Sequence, residues 1–289
     1  MPELPEVETV VRGLNQFILG KTISAIDFDW PKSFPNAKGD VDAFLIHSSI
    51  VAVRRRAKVL LIILSTEHTL VIHLKMTGQL VYRGASEAFG AGHPNDSLIG
   101  DLPDKSTRVT VVFTDGSKLY FNDQRKFGWV KLYPTVEVPN IDFFKRVGPE
   151  PLAVDFTQSS FRQRLLRRPN TNIKAVLLDQ TVIAGVGNIY ADESLWGAKI
   201  HPTTLVKSMS KAKTDKLFSE LRFVLNLAIE KGGSTDRNYV NAEGKRGSYM
   251  DFARVFRREN LPCPRCSTSI VKTRVAGRGT HTCPKCQKP

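Results

Sequence analysis

Three things are scarce in this sequence of 289 residues, and each scarcity excludes a class of protein. Long apolar runs are missing. No stretch reaches the roughly twenty residues that a membrane-spanning helix needs. The start, Met1-Pro2-Glu3-Leu4-Pro5-Glu6, also lacks the basic and apolar regions of a secretory signal. The expectation is therefore a cytoplasmic protein, nucleoid-associated in a prokaryote, neither secreted nor bound to a membrane. Cysteine is confined to Cys263, Cys266, Cys283 and Cys286, so no disulfide framework can staple the body of the chain. Acidic side chains are in deficit, 28 against 42 lysines and arginines, for a net charge of +14. Such an excess asks for a polyanionic partner, nucleic acid first and an acidic membrane second.

The positive charge is concentrated. Arg254, Arg257, Arg258, Arg265, Lys272, Arg274, Arg278, Lys285 and Lys288 face only Glu259 in the C-terminal tail. The cysteines lie in the same tail, as Cys263-Pro-Arg-Cys266 and Cys283-Pro-Lys-Cys286, with sixteen residues between the pairs. Two Cys-x-x-Cys knuckles at this separation indicate one tetrahedral Zn²⁺ held by four thiolates. A segment this short cannot build its own core, so the metal supplies the folding energy. The ion is structural, and the hairpin Ser267–Thr282 between the knuckles carries Arg278 at a basic tip.

The N-terminus carries the other unusual chemistry. Removal of the initiator methionine, favoured by the small Pro2, turns the Pro2 nitrogen into a secondary amine. Such an amine attacks a carbonyl-level carbon and gives an iminium that withdraws electrons from the neighbouring carbon. An α-amino group titrates near pH ~7.7–8.0, so a useful fraction is neutral at working pH. Glu3 stands beside it as a proton carrier. Proline and carboxylates also suit the first turn of a helix on structural grounds alone. Val7, Val10, Val11, Leu14 and Ile18 do repeat at helical spacing.

Residues 22–133 read as β structure. Val59–Leu64 and Thr69–Leu74 are apolar runs, Arg108–Phe113 and Lys118–Phe121 flank an Asp115-Gly116 turn, and Phe127–Tyr133 is one more strand. Gly84–Asp104, rich in Gly, Ser, Pro and Asp, reads as a long loop, and proline-rich Pro134–Pro151 as a linker. Beyond it the period turns helical, over Phe156–Arg167, Ile173–Gln180, Ile189–Trp196 and Ser210–Lys231. Between the second and third, Gly185-Val186-Gly187-Asn188 feeds a helix start whose exposed amides suit a phosphate.

Six motifs, taken in order, resemble the formamidopyrimidine-DNA glycosylase family, which removes oxidised purines from DNA. They are Pro2-Glu3-Leu4-Pro5-Glu6-Val7-Glu8-Thr9, His73-Leu74-Lys75-Met76-Thr77-Gly78, Asn122-Asp123-Gln124-Arg125-Lys126-Phe127-Gly128, Gly185-Val186-Gly187-Asn188-Ile189-Tyr190-Ala191, Val240-Asn241-Ala242-Glu243-Gly244 and Gly277-Arg278-Gly279-Thr280. The resemblance implies an α+β multidomain fold. An N-terminal β-sandwich with its N-terminal helix would occupy residues 1–134, a linker 135–152, a helix–two-turn–helix domain 153–252 and a zinc-binding β-hairpin 253–289. It implies a monomeric, bifunctional glycosylase and abasic-site lyase acting on damaged duplex DNA, with no redox cofactor.

Roles follow from the same resemblance. Pro2 would displace the damaged base and hold the sugar as an iminium, with Glu3 shuttling protons. Lys58 would assist β-elimination, and Arg278 δ-elimination as a phosphate-holding cation. Glu6 matches a carboxylate near the sugar. Extruding a base costs a few kcal/mol and leaves a hole, which Met76, Arg125 and Phe127 would fill as a wedge. Lys126, Asn188 and His73 match contacts to the DNA backbone, and Ser234–Phe252 a loop closing over the extruded purine. Some have a plainer reading: Lys58 as a solvated lysine at a strand start, Met76 and Phe127 as sandwich core, His73 as a structural histidine, whereas Arg125 is harder to explain as core.

Three stretches depart from the family pattern, one of them Gly84–Asp104, which is longer than the family's usual loop and has no assigned role. Lys105-Ser106-Thr107-Arg108 lacks a usual histidine, and Phe256-Arg257-Arg258-Glu259-Asn260 replaces Tyr-Gly-Arg-x-Gly. The alternatives are a related glycosylase for oxidised pyrimidines and a non-catalytic zinc-hairpin protein that binds lesions. Pro-Glu-Leu-Pro-Glu, in place of Pro-Glu-Gly-Pro-Glu, favours the purine enzyme. The joint presence of Pro2, Glu3, Lys58 and Arg278 argues against a silent binder.

Overall fold

A computed structural model describes residues 2–93, 95–234 and 249–289. Much of the expected lesion-capping loop, including Asn238, Asn241, Glu243, Gly244 and Gly247, lies outside the described residues. The chain divides into two compact units, Met1–Lys145 with Lys231–Ser248, and Arg146–Glu230 with Tyr249–Pro289. Among the described residues no helix is long and apolar enough to cross a membrane.

The first unit opens with α1 (Leu4–Phe17). Its capping box and the proline at its start set the helix going. Val7, Val10 and Leu14 form its buried stripe, as their spacing predicts. The Ile18 amide closes the last turn on the Leu14 carbonyl. Among the described residues of this unit the strands are β1 (Ile23–Phe28), β2 (Ile50–Arg56), β3 (Val59–Leu64), β4 (His68–His73), β5 (Gly78–Arg83), β6 (Ala88–Gly92), β7 (Thr107–Phe113), β8 (Lys118–Asp123) and β9 (Trp129–Pro134). They make two antiparallel sheets, ordered β1-β7-β8-β5-β6 and β2-β3-β4-β9. One continuous core joins α1 to both sheets, through Val10 and Leu14, Leu60 and Ile72, and Leu80 and Phe121. This is the expected sandwich. Asn15 binds α1 to the edge strand β2: its amide donates to the Val53 carbonyl and its oxygen accepts the Val53 N–H. The exposed edge is partly satisfied from inside the chain.

Two stretches differ from expectation. Gly84–Asp104 is not a plain loop, since it contains β6 and a short 3-10 turn at Asp96–Leu98. Glycine hid the strand, because Gly90 and Gly92 serve close approach and not conformational freedom alone. A Cβ on Gly92 would lie 2.5 Å from the Gly78 carbonyl oxygen, and Gly13 of α1 leaves room for the Phe89 ring. Leu98 and Leu102 then cover Val81 and Tyr120 in a small second core. Proline-rich 134–151 likewise begins with a 3-10 turn, Thr135–Asn140, and α3 (Asp142–Arg146), after a three-residue α2 (Lys38–Asp40) earlier in the unit. Val138, Ile141 and Phe144 of this stretch pack with Val59, Val71 and Trp129.

The second unit holds α4 (Gln158–Leu165), α5 (Ile173–Leu178), α6 (Asn188–Gly197) and α7 (Lys211–Glu230). Thr157 and Asn172 cap the first two by accepting the Ser160 and Ala175 amides. Leu217, Leu221 and Leu225 of α7 share a core with Phe161, Ile173, Tyr190 and Leu195. The hairpin β10 (Val271–Val275) and β11 (Arg278–Thr282) comes last, and Trp196, Val255 and Ile270 pack around Cys263 and Cys283.

Gly78 is the tightest point of the turn entering β5. A Cβ there would meet the Leu74 carbonyl oxygen at 2.3 Å and its Cα at 2.6 Å, both backbone atoms with nowhere to go. Gly78→Ala should therefore cost about 1–3 kcal/mol or more in urea unfolding. A change within error would show that the turn from Leu74 can relax.

Candidate active site and nucleic-acid interface

Pro2 and Glu3 sit buried at the start of α1. Glu3 is the N-cap in extended conformation, and its backbone N–H donates to Glu6 Oε2 at 2.8 Å. Both carboxylates are almost wholly shielded, Glu3 at 4% and Glu6 at 5% exposure. Here the capping box pairs the first amides of the helix with the two carboxylates. The first turn thus holds Pro2 and two shielded carboxylates in one fixed geometry.

Lys58 follows Ala57, whose φ of +55° marks the tight β2–β3 turn. The solvated-lysine reading fails, because only 6% of Lys58 is exposed. His73 ends β4 opposite Val59. Burial, then the cations of Lys75 and Lys58, push its pKa down to about 3. Its Nδ1 accepts the Lys75 N–H at 3.1 Å, which leaves the ring neutral with its proton on Nε2. A neutral imidazole with its proton on Nε2 is a hydrogen-bond donor and not a proton source at neutral pH.

The expected wedge residues are organised by a group that sequence reasoning missed. The buried Asp123 carboxylate accepts the Thr77 hydroxyl and the amides of Arg125 (3.2 Å), Phe127 (2.8 Å) and Gly128 (2.7 Å). Such Asx-type bonding folds the loop back on itself. Phe127 is left 54% exposed, so it is not core. The Arg125 guanidinium lies 4.8 Å from its ring centroid. Lys126 adopts a left-handed φ of +57° and stacks its ammonium 4.5 Å from the Trp30 ring. Met76 is half-buried in the turn between β4 and β5, which the Thr77–Asp123 bond ties to the same loop. The departure at 105–108 supports this loop. Arg108 donates to the Asp123 carbonyl at 3.1 Å and pairs with Asp29, while Ser106 donates to Asp104 at 2.7 Å.

In the second unit, Asn188 opens α6 and donates to the Gly279 carbonyl at 3.0 Å. Fully buried Lys174 donates to Asp192 (2.6 Å), Thr280 (2.7 Å) and the same Gly279 carbonyl (3.1 Å). The other Asp192 oxygen accepts the His281 N–H at 2.9 Å. Arg278 stands exposed next to this anchored carbonyl. Lys174 and Asp192 escaped sequence reasoning because their partners lie in a distant hairpin. At 256–260, Phe256 packs its ring 5.0 Å from His281.

The four cysteine sulfurs all lie within 4.8 Å of one another. Cys266 and Cys283 are 3.4 Å apart, far beyond the ~2.05 Å of a disulfide. Tetrahedral zinc with bonds of ~2.3 Å separates its sulfurs by about 3.8 Å, so the set fits one Zn²⁺.

The sequence matches family models described as "Formamidopyrimidine-DNA glycosylase N-terminal domain" over residues 1–130, "Formamidopyrimidine-DNA glycosylase H2TH domain" over 147–239 and "Zinc finger found in FPG and IleRS" over 260–289. It is 41% identical to the formamidopyrimidine-DNA glycosylase of Latilactobacillus sakei, across 99% of this chain and 98% of that protein. The Lactococcus lactis Fpg, solved in complex with DNA containing an abasic site, superposes with a TM-score of 0.87. That protein is 34% identical, with 99% of this chain and all of that one covered. The MutM (Fpg) protein of Thermus thermophilus gives 0.83 at 37% identity, covering 99% and 98%.

Two outcomes are expected from this geometry. The folded pKa of His73 lies below its unfolded value, so the unfolded chain binds the extra proton and stability falls as pH drops from about 6.5 toward 3. His73→Gln should flatten that fall in unfolding free energy across the window, and an unchanged slope would mean that His73 does not drive it. Cys283→Ser should lower the zinc-to-protein ratio measured by atomic absorption and weaken binding to duplex oligonucleotides, while the β-sheet signal in circular dichroism persists. Loss of that signal with DNA binding retained would contradict it.

Proposed function

The chain belongs to the formamidopyrimidine-DNA glycosylase family, and on that footing we propose that mature Pro2 is the nucleophile of a base-excision reaction on oxidised purines. The enzyme is a bifunctional DNA glycosylase and abasic-site lyase, its partner is damaged duplex DNA, and its zinc is structural. The substrate class is 8-oxoguanine and formamidopyrimidine residues. The working location is with the cell's DNA, in the cytoplasm and at the nucleoid. The division of labour assigns residues 1–134 to chemistry, 153–252 to DNA binding and lesion capping, and 253–289 to the zinc hairpin, with 135–152 between.

The reaction conserves atoms in four steps. The Pro2 nitrogen attacks the anomeric carbon of the damaged nucleotide, and the base leaves with a proton. Glu3 carries protons at that centre, opening the sugar to an iminium on Pro2. Loss of the proton next to the iminium carbon expels the 3′ phosphate, and a second elimination expels the 5′ phosphate. Lys58 serves the first elimination as a shielded cation. Arg278 serves the second by stabilising the departing phosphate, a task suited to a group that stays charged. His73 donates its Nε2 hydrogen to the DNA backbone, alongside Lys126 and Asn188. Met76, Arg125 and Phe127 occupy the space of the extruded nucleotide, Arg125 bonding the orphaned base.

The observation that carries the reading is the shielded first turn of α1, in which Glu3 and Glu6 fix the chain beside Pro2. Borohydride added to protein and a lesion-containing duplex should trap a covalent adduct with wild type, and Pro2→Gly or Glu3→Gln should abolish rapid base excision. Full excision by Pro2→Gly with a blocked terminus would overturn the assignment.

A further inference from the structure

Glu6 does more than a first-turn carboxylate needs to do. Its Oε2 accepts the Glu3 N–H at 2.8 Å, and its Oε1 accepts the Ser234 N–H at 2.7 Å, from a residue 228 positions away in the sequence. Ser234 belongs to the same compact unit as α1. Gly232 and Gly233, with φ of +75° and +84°, turn the chain to present that amide. The approach is close, since a Cβ on Gly233 would lie 3.1 Å from Glu6 Oε1 and 3.2 Å from its Cγ.

A helix dipole alone would be served by an exposed acid. A shielded carboxylate persists only where hydrogen bonds replace its lost hydration. Two N–H groups approaching two oxygens also require a carboxylate, because an amide side chain would turn its own N–H₂ toward one of them. We propose that Glu6 is a positioning residue, a bridge that sets the backbone of Glu3, and through it Pro2, according to where Gly233–Ser234 lies. The proposal rests on the reading of Pro2 as nucleophile. Coupling of this kind is reciprocal, so disturbing either end of the bridge must be felt at the other.

The test uses full-length protein and a duplex with a preformed abasic site, where no damaged base remains to be recognised. Single-turnover borohydride trapping is measured for wild type, Glu6→Gln, Gly233→Ala and the double variant, together with affinity for a duplex bearing a stable abasic analogue. Each single variant should slow trapping about tenfold, the scale of one charge-assisted hydrogen bond, with affinity at the wild-type level. The double variant should be no slower than the slower single one, since both break the same bridge. Trapping at the wild-type rate by Gly233→Ala, or a double loss equal to the product of the single losses, would overturn the proposal. Should Glu6→Gln fail to fold, Gly233→Ala decides alone, because it leaves every group of the first turn in place. Failure of the underlying reading has a different signature: wild type itself would not be trapped.

Discussion

A carboxylate taken out of water keeps its charge only if N–H and O–H groups replace its hydration shell, and that requirement shapes the loops of both units. Asp123 gathers three backbone amides and the Thr77 hydroxyl. Asp104 takes the amide and hydroxyl of Ser106 and the hydroxyl of Ser97, and its pKa stays below the ordinary range because these bonds outweigh burial. Glu193 collects the amides of Arg254, Val255 and Phe256, and Asp192 that of His281. Glu6 does the same at the N-terminus. Each of these loops is gathered around one carboxylate.

This arrangement has an electrostatic consequence. A chain with net charge +14 turns several of its carboxylates inward, where they organise backbone, and leaves Arg125, Lys126 and Arg278 facing outward. Arg125 and Lys126 thereby stand on a loop that Asp123 already holds in place. Preorganised side chains lose less freedom on binding. Phe127 fits the same logic. An aromatic ring half in water is costly to leave exposed, and it is tolerable on a loop that cannot collapse inward.

Local chemistry is legible in the sequence, and long-range chemistry is not. The knuckles announce themselves because zinc spacing is local, as does the Asp115-Gly116 turn, where Asp115 accepts the Ser117 amide at 2.9 Å and Gly116 takes a φ of +82°. Helices α4 to α7 emerge from the periodicity of their apolar residues. Strand β6 does not, because Ala88-Phe89-Gly90-Ala91-Gly92 owes its conformation to neighbours on Gly78, Leu98 and α1. Lys58 misleads for a related reason: nothing nearby in sequence tells that a lysine after a tight turn is shielded. Lys174 and Asp192 carry no motif of their own, and their importance lies in hairpin partners 89 to 106 residues distant.

A nucleophile at the start of a chain faces a physical difficulty, since termini ordinarily fray. A reacting nitrogen must be held within a fraction of an ångström of its target for proximity to help. Here the first residues inherit order from the helix they lead into. Leu4, Val7, Val10 and Leu14 of α1 are wholly buried, the last three in the core shared by both sheets, and Asn15 ties the far half of the helix to β2. The capping box then carries that rigidity back to Glu3. Because the helix is continuous with the core, its first turn is held by the residues that follow it, which is what the role proposed for Pro2 requires.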